Sequence, residues 1–544
     1  MGRKLAPVTD DGPLMDGRQA PHSVPQDGAG PEFFAALREA RILVNAEQQR
    51  RLLASSDPLS AIARARDLGI GPGMLGNEDL EQMLDATVVT NRGPSQPALG
   101  RVIAPMAPPP LTNPALVNGM PHWRPEDFPM DATDASIELM VHYDITGNSV
   151  TEGRMQDIQA CFNDRLDRLG RMIREQLPGR PKPIGQIARE HRMHQGYENM
   201  VAAIGMVMDA KHTKNGHLIF ELEDRSGAMK CLLTSKQGEN LNHQRIIESG
   251  LMPDDVIGVT VSSSQSGDIF YVDDLFFPSH KRRTKAHAEE GVSVAFLSDI
   301  HVGSKTFLEA QWHKMVAWFH EHPLARTIKY LILSGDCVDG VGIYPGQDKE
   351  LAIPDLFDQY TRFAELLHLL PDWVECIMLP GNHDAVRPAE PQPTFEPTIQ
   401  QDYNTTTFVG NPCDFSLHGV RLLSYHGKSI DDFVATLRTV TYADPVEAMR
   451  EMLRRRHLAP QWGGKTPLSP EPEDGLIIRE VPDIFVTGHV HGHACLDHRG
   501  TTLVCSSTWQ DQTSYQRMLG FQPRPCMLTV VNLGTHATAS IPFA

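Results

Sequence analysis

Aspartate, asparagine and histidine recur in five short clusters in the second half of the chain, and each cluster directly follows an apolar run. The clusters span residues 298–301, 335–339, 381–384, 425–427 and 488–491. Imidazole and carboxylate groups suit Mn, Fe or Zn, and a carboxylate can bridge two ions. Two ions ~3.5–4 Å apart can clamp the attacking and leaving oxygens of a phosphoryl displacement. The residue types therefore predict a two-metal site for phosphoryl chemistry.

A single histidine is more often a packing residue than a metal ligand, so histidines outside the clusters carry little weight. The chain contains 24 histidines. We interpret the following as surface or packing residues: His313, His320, His322, His368, His418, His457, His493, His498 and His536. Five clusters in order, each after a strand-like run, are far more specific than any one histidine.

The apolar runs before the clusters predict the strands that position them. The runs span residues 292–297, 330–333, 376–379, 420–423 and 484–486, and helical stretches separate several of them. Ligand sites in α/β sheets gather at the carboxyl ends of the strands. We therefore expect the clusters to converge in one crevice, with Asp339 as a turn or cap residue beside it.

Composition divides the chain into five segments. Residues 1–30 have little to bury and are predicted to be disordered. Residues 31–90 show helical spacing, which predicts a small helical module, and residues 91–135 contain ten prolines, which predict an extended linker. Residues 136–285 are predicted to hold a strand, a helix and a small barrel, and residues 286–544 an α/β domain with the clusters. The fold class is thus multidomain, α/β plus β.

The barrel prediction comes from a change to a period of two in the apolar pattern. Predicted strands span residues 201–208, 217–223, 228–234, 256–262 and 269–277. Five short strands suit a closed barrel of the OB type, which often binds single-stranded nucleic acid or protein. A barrel that acts only as a spacer fits equally well. The aromatic side chains of Phe270, Tyr271, Phe276 and Phe277 could bind a partner or pack in the barrel core.

Charge and composition exclude several classes of protein. With 50 Lys and Arg against 68 Asp and Glu, the net charge is −18. This argues against coating nucleic acid through bulk charge, although it leaves room for a local basic groove. No stretch reaches the ~20 apolar residues of a membrane helix, and the eight scattered cysteines are typical of reduced thiols. We expect a cytoplasmic protein without membrane association.

The five clusters read D-x-H, G-D-x-x-D, G-N-H-D, a lone His and G-H-x-H, and resemble the calcineurin-like metallophosphoesterase superfamily. The resemblance implies an α/β sandwich over residues 286–544 and one metal held by Asp299, His301, Asp336 and His491. It implies a second metal held by Asp336, Asn382, His426 and His489. It also implies that His383 is catalytic and that Asp384 orients it.

The surroundings of the clusters narrow this resemblance. Residues 339–347, 381–393, 455–467 and 507–510 look like the small subunit of archaeal family D DNA polymerases, and the order of parts agrees over about residues 136–544. That family implies a proofreading 3′→5′ exonuclease acting on DNA 3′ ends, with a larger polymerase subunit as partner. It also implies two divalent ions, with manganese expected and Mg, Fe or Zn as alternatives. The N-terminal module is a candidate site for other replication factors.

Three basic stretches are candidate DNA contacts, and each has a structural alternative. Arg387 follows the G-N-H-D turn, where a phosphate contact and a structural salt bridge fit equally. A DNA contact or a solvated linker would explain Lys281, Arg282 and Arg283. The third stretch is Arg454, Arg455 and Arg456. These arginines could bind DNA or a partner protein, or they could form a solvated helix face.

Two other functions compete with the nuclease. Accessory subunits of eukaryotic replicative polymerases resemble the same arrangement of a barrel followed by a phosphoesterase domain. They are non-catalytic scaffolds, because they have lost the metal ligands. Every ligand-type position is filled here, which favours an enzyme that also acts as a scaffold. A stand-alone repair nuclease would not need the barrel. A small-molecule phosphatase would need neither the barrel nor the basic stretch at residues 280–285.

Overall fold

The computed structural model describes residues 31–84 and 124–544. Within these ranges it does not describe positions 41, 45, 56, 69, 71, 72, 76, 195–199, 235–240, 264–268, 279, 281, 282 and 519–521. The chain divides into two compact units, Met1–Leu99 and Gly100–Ala544. Within the described ranges, no helix is both long and apolar enough to cross a membrane. The predicted disorder of residues 1–30, and residues 91–123 of the predicted linker, lie outside the described residues.

The first unit contains four helices and two short parallel strands. They are α1 (Pro31–Ala40), β1 (Ile42–Leu43), α2 (Ala46–Leu53), α3 (Pro58–Asp67), β2 (Gly73–Met74) and α4 (Asn77–Leu84). Apolar side chains from all four helices, including Leu37, Leu52, Ile62 and Leu80, form one buried core. The predicted helical module is confirmed over these residues.

The described part of the second unit begins with a segment that we predicted to be the end of the linker. A 3₁₀ turn spans Pro125–Asp127, and Phe128 and Ala132 are buried. The Ala132 N–H donates to the Arg326 carbonyl at 2.7 Å, and its side chain joins the main core. The linker prediction is therefore wrong at this end, because these residues pack against the protein instead of forming a tether.

A closed barrel follows one strand and two helices. The elements are β3 (Leu139–Tyr143), α5 (Met155–Arg174), α6 (Ile184–His194), β4 (Val201–His212), β5 (Leu218–Asp224), β6 (Gly227–Leu233), α7 (Leu241–Ser249), β7 (Val256–Ser263) and β8 (Phe270–Phe276). The barrel has the strand order β4-β5-β6-β8-β7 and closes between β7 and β4. The five predicted strands are confirmed. Phe270 and Phe277 belong to the barrel core, whereas Tyr271 is exposed.

The rest of the unit is a body of two six-stranded sheets with flanking helices. Its elements are β9 (Ser293–Leu297), α8 (Glu309–Glu321), β10 (Ile328–Ser334), α9 (Leu356–Leu367), β11 (Glu375–Leu379), α10 (Pro397–Gln400), β12 (Thr406–Phe408), β13 (Cys413–Leu417), β14 (Val420–Ser424), α11 (Ile430–Thr436), α12 (Pro445–Arg455), β15 (Ile484–Thr487), β16 (His493–His498), β17 (Thr501–Ser506), α13 (Ser514–Met518), β18 (Met527–Asn532) and β19 (Thr538–Pro542). The first sheet has the order β12-β11-β10-β9-β18-β19 and the second β16-β17-β15-β14-β13-β3.

The main core lies between the two sheets. Phe296 and Ile332 from the first sheet meet Phe415 and Val486 from the second. The other face of the second sheet packs against α11 and α12, with Phe485 in that cluster. Strands β9, β10 and β11 run parallel, as do β14 and β15. Within each parallel set, the carboxyl ends of the strands therefore meet at one edge.

Strand β3 differs from our domain division. We assigned residues 136–285 to one segment that includes the barrel, but β3 pairs antiparallel with β13 at the edge of the second sheet. The strand itself is confirmed, and its place in the body rather than with the barrel is a correction.

Candidate metal centre

The structure brings the five predicted clusters together beyond the carboxyl ends of β9, β10, β11, β14 and β15. Three groups of side chains each hold donor atoms within 4.8 Å of one another. The groups are Asp299, His301 and His491; His301, Asp336 and His383; and Asp336, His426 and His489. The predicted convergence of these side chains is therefore confirmed, whereas their role as ligands stays a prediction.

The first group contains the residues predicted to hold one metal. The Nε2 atom of His491 lies 3.4 Å from Oδ1 of Asp299 and 3.2 Å from Nε2 of His301. The Nε2 atom of His301 lies 3.9 Å from the same Asp299 oxygen. Donor atoms from separate loops thus face one small space.

Asp336 lies between the first group and the residues predicted to hold the second metal. Its Oδ2 atom is 3.3 Å from Nε2 of His426 and 3.9 Å from Nε2 of His301. Its Oδ1 atom accepts a hydrogen bond from the His383 N–H at 2.8 Å, which fixes the carboxylate. The Asn382 Oδ1 atom lies 3.1 Å from Nε2 of His426. This is the arrangement that a bridging carboxylate requires.

The backbone of the site is strained. Five of the seven predicted ligand residues have left-handed backbone conformations, with φ between 51° and 67°: Asp299, His301, Asp336, His489 and His491. Such conformations cost non-glycine residues about 1–3 kcal/mol each and persist where the surrounding structure enforces them, often at functional sites. Gly488 allows close packing here, because a Cβ atom on it would overlap the Ser298 hydroxyl.

The charge and the hydrogen bonding of the site fit divalent cations. The Oδ1 atom of Asp299 is buried and has no hydrogen-bond partner among the described residues, while Oδ2 accepts from the His489 N–H at 2.8 Å. A buried polar atom without a partner is costly, and a metal ion would satisfy it. Burial lowers the pKa of His426, but the Asp336 carboxylate outweighs this and raises the pKa to about 10. The site therefore attracts positive charge.

Each of the four predicted histidine ligands has an outer partner at a ring nitrogen. His426 Nδ1 donates to the Ser334 carbonyl at 2.9 Å, and His301 Nδ1 lies 3.1 Å from Asp339 Oδ1. His489 Nε2 lies 3.3 Å from Asp431 Oδ2, and His491 Nδ1 lies 2.9 Å from Gln516 Nε2. Such partners orient metal ligands and tune their basicity.

Comparisons with known proteins identify the family of the chain. The family model for the B subunit of DNA polymerases alpha and epsilon matches residues 294–495. The DNA polymerase II small subunit of Archaeoglobus fulgidus is 38% identical over 420 residues, which cover 76% of this chain and 82% of that protein. The small subunit of Halobacterium salinarum is 36% identical over 495 residues, which cover 89% and 93%. The chain belongs to the DNA polymerase II small subunit family.

Asp339 is not the turn or cap residue that we predicted. It is buried, and its carboxylate contacts His301 while accepting hydrogen bonds from Gln347 and Gln510, each at 3.1 Å. Burial raises the pKa of Asp339, but the hydrogen bonds and charges of His301, His383 and Gln347 together outweigh burial, and the pKa is lowered. The only sequence signal for this role is the second aspartate of the G-D-x-x-D cluster.

His383 faces the site as predicted, but Asp384 does not orient it. The His383 Nδ1–H donates to the Asp339 carbonyl at 2.8 Å, and burial lowers the pKa of His383. The Asp384 carboxylate instead accepts from the Gly381 N–H at 2.8 Å and from the Tyr360 hydroxyl at 3.1 Å. Asp384 therefore stabilises the turn that carries His383, and the predicted role of orienting the His383 ring falls instead to the Asp339 carbonyl. Burial, followed by the charge of Asp336, raises the pKa of Asp384 to about 7.

The predicted DNA-contact arginines that the structure describes form contacts within the protein. Arg387 lies 3.2 Å from Glu471 and donates to the Ser149 hydroxyl at 2.6 Å, which favours the structural salt bridge. Arg283 pairs with Asp483 at 2.8 Å, so this residue is not part of a solvated linker, and its predicted DNA contact stays a prediction. Lys281 and Arg282 lie outside the described residues.

The basic run at the end of α12 is not a solvated helix face. Arg455 is buried and pairs with Asp255 at 2.7 Å. Arg456 is also buried and donates to the Ile478 carbonyl at 2.9 Å, and Arg454 stacks over the Phe277 ring. Arg454 and Arg455 therefore join the body to the barrel, whereas Arg456 bonds within the body, and the solvated helix face is the alternative that these contacts correct.

Proposed function

We propose that the chain is the 3′→5′ exonuclease subunit of a heteromeric archaeal family D DNA polymerase, located in the cytoplasm. In this proposal the two-sheet body is a metallophosphoesterase domain, and the five-stranded barrel is of the OB type. The observation that carries the nuclease proposal is the convergence of carboxylate and imidazole donors around the unpartnered buried Oδ1 of Asp299. Membership of the polymerase small-subunit family supports the context of DNA replication.

The donor atoms support two divalent cations, with manganese as the expected ion. One would be held by Asp299, His301, Asp336 and His491, and the other by Asp336, Asn382, His426 and His489. When bound, such a pair would neutralise negative charge on the phosphate that is cleaved. The surrounding groups, including Asp339, Asp431 and Gln516, would keep the histidines in position.

Hydrolysis at a 3′ end forms a bond between a water oxygen and phosphorus and breaks the bond between phosphorus and the 3′ oxygen of the penultimate nucleotide. The water loses a proton, and the 3′ oxygen gains one as it leaves. The Asp339 carbonyl holds the Nδ1–H of His383. Nε2 is then the ring nitrogen that can take up a proton and deliver it to that oxygen. Mispaired ends would be preferred because unpairing a mismatched base is less costly.

A scaffold function for the large polymerase subunit is a second part of the proposal. The ion pair between Arg455 and Asp255 joins α12 to the start of the barrel strand β7, and both side chains are buried. Barrel and body therefore present a preformed surface to a partner. The N-terminal helical module would serve other replication factors, and a stand-alone repair nuclease is the alternative if no large subunit associates.

The substitution Asp336→Asn tests the nuclease proposal. It keeps the side-chain volume but removes the charge shared by the two predicted metal positions. We expect manganese-dependent degradation of a 5′-labelled single strand to fall at least ~100-fold, since even outer partners of metal ligands contribute 10–100-fold. Co-purification with the large subunit should persist.

The matched control is Asp134→Asn, because Asp134 is exposed and precedes β3. It should degrade DNA at the wild-type rate. Nuclease activity that survives Asp336→Asn would contradict the two-metal assignment, and an active chain that recovers no large subunit would favour the repair nuclease.

A further inference from the structure

A short loop beside the candidate site exposes apolar side chains in an otherwise buried region. The loop, residues 340–346, directly follows Asp339. Val341 is 48% exposed and Ile343 is 39% exposed, whereas residues 328–340 are all buried. Val341 and Ile343 are thus two exposed apolar side chains in one short loop that begins at a residue of the candidate site.

The backbone of this loop is held by two buried glutamines. The Gly340 N–H donates to Gln359 Oε1 at 2.9 Å, and the Ile343 N–H donates to Gln347 Oε1 at 2.9 Å. Gln347 Nε2 in turn donates to the Asp339 carbonyl at 2.8 Å. The apolar side chains are therefore presented on a preformed loop, which keeps the conformational cost of binding low.

The loop packs directly against the candidate catalytic histidine. A Cβ atom on Gly340 would overlap the His383 carbonyl oxygen and lie 3.1 Å from the Ile343 side chain. The Tyr344 ring centroid is 6.4 Å from that of His383, and its hydroxyl donates to Glu350 at 3.0 Å. The exposed apolar surface and the reacting groups are thus neighbours.

We propose that Val341 and Ile343, supported by Tyr344, form a platform for the terminal base of a single-stranded DNA 3′ end. Every base offers a flat face of low polarity, and removing such a face and the aliphatic side chains of Val341 and Ile343 from water is favourable whatever the base. A base can reach the platform only when it is unpaired, so the platform selects frayed ends. This inference rests on the proposed nuclease function and names the part of the substrate that the loop binds.

The test uses the full-length double variant Val341→Ser/Ile343→Ser and a single strand with 2-aminopurine at its 3′ end. We expect KM for manganese-dependent degradation to rise about tenfold or more, because the variant loses the apolar area that would be buried against the base. The change in 2-aminopurine fluorescence on binding should be lost, while kcat changes little. Ile343→Phe, which enlarges the apolar face, should lower KM.

The matched control is Met140→Ser, because Met140 is also exposed, at 63%, but lies on the edge strand β3. It should leave KM and fluorescence at wild-type values. Unchanged KM and fluorescence in the double variant, with an active wild-type chain, would overturn the platform and leave the nuclease proposal intact. A wild-type chain without nuclease activity would overturn the nuclease proposal itself. If the double variant no longer associated with the large subunit while its KM and fluorescence were unchanged, the loop would bind that protein partner. This result would overturn the platform.

Discussion

The candidate metal centre depends on groups that lie behind the predicted ligands as well as on the ligands themselves. Asp431 shows this most clearly, because its Oδ2 atom lies 3.3 Å from Nε2 of His489 and accepts from Lys428 at 2.8 Å. Burial would raise the pKa of Asp431, but the charges of His489 and Lys428 outweigh this and lower it. The carboxylate both orients a ligand and neutralises a nearby cation.

We therefore predict that Asp431→Ala weakens manganese binding. His489 loses its outer partner, an effect typically worth 10–100-fold in affinity, and the remaining Lys428 charge repels the ion. Manganese titration followed by electron paramagnetic resonance measures this without reference to activity. The double variant Lys428→Met/Asp431→Ala should recover part of the affinity, and a single variant with wild-type affinity would contradict the assigned role.

At the level of single residues, the convergence of the side chains predicted as ligands could be read from the sequence because each follows its strand directly. Their outer partners could not. Asp431 lies on α11 and Gln516 on α13, and only the assembled fold brings these helices to the site, for which the sequence contains no local signal. Asp384 was predicted to orient His383, but its carboxylate accepts from the Gly381 N–H of its own turn, a local hydrogen bond.

At the level of elements, helix α5 joins the barrel to the body. Its residues Leu169 and Ile173 pack with Met206 and Val256 of the barrel and with Ile477 of the body. On the same helix, buried Arg165 pairs with buried Asp474 at 2.6 Å. This ion pair is sealed from water, so its two charges depend on each other.

We predict that Arg165→Met destabilises the second unit by about 3–5 kcal/mol, because it leaves the Asp474 charge buried without its cation. Chemical denaturation followed by circular dichroism measures the change. The control Arg225→Met removes an exposed ion pair to Asp167 on the same helix, and such pairs contribute about 0–1 kcal/mol. If both substitutions lowered the free energy of unfolding by the same amount, burial would not explain the contribution of the Arg165–Asp474 ion pair to stability.

The elements themselves were easier to predict than their partners. The period of two identified all five barrel strands, and the apolar runs identified the strands that precede the clusters. Strand β3 was found but assigned to the wrong part, because its partner β13 lies far away in the chain and pairing over such distances has no local signature. The same holds for Ala132, whose burial depends on the assembled body.

At the level of the whole molecule, the net charge of −18 limits how DNA can be bound. Arg283, Arg387 and Arg455 form ion pairs within the protein, so they contribute little to a phosphate-binding surface. If DNA is held mainly by the metal centre and by the apolar loop, few counterions are released on binding. Binding should then depend only weakly on salt.

We therefore predict a shallow salt dependence for single-strand binding by the full chain. The logarithm of affinity falls with that of salt concentration by about 0.7 for each phosphate neutralised by Lys or Arg. We expect a slope smaller in magnitude than about 2, measured as KM against potassium chloride at fixed manganese. A steep slope would contradict local binding. If Lys281→Ala/Arg282→Ala reduced that slope by about 1.4, these two residues would be the phosphate contacts, because each would then account for one neutralised phosphate.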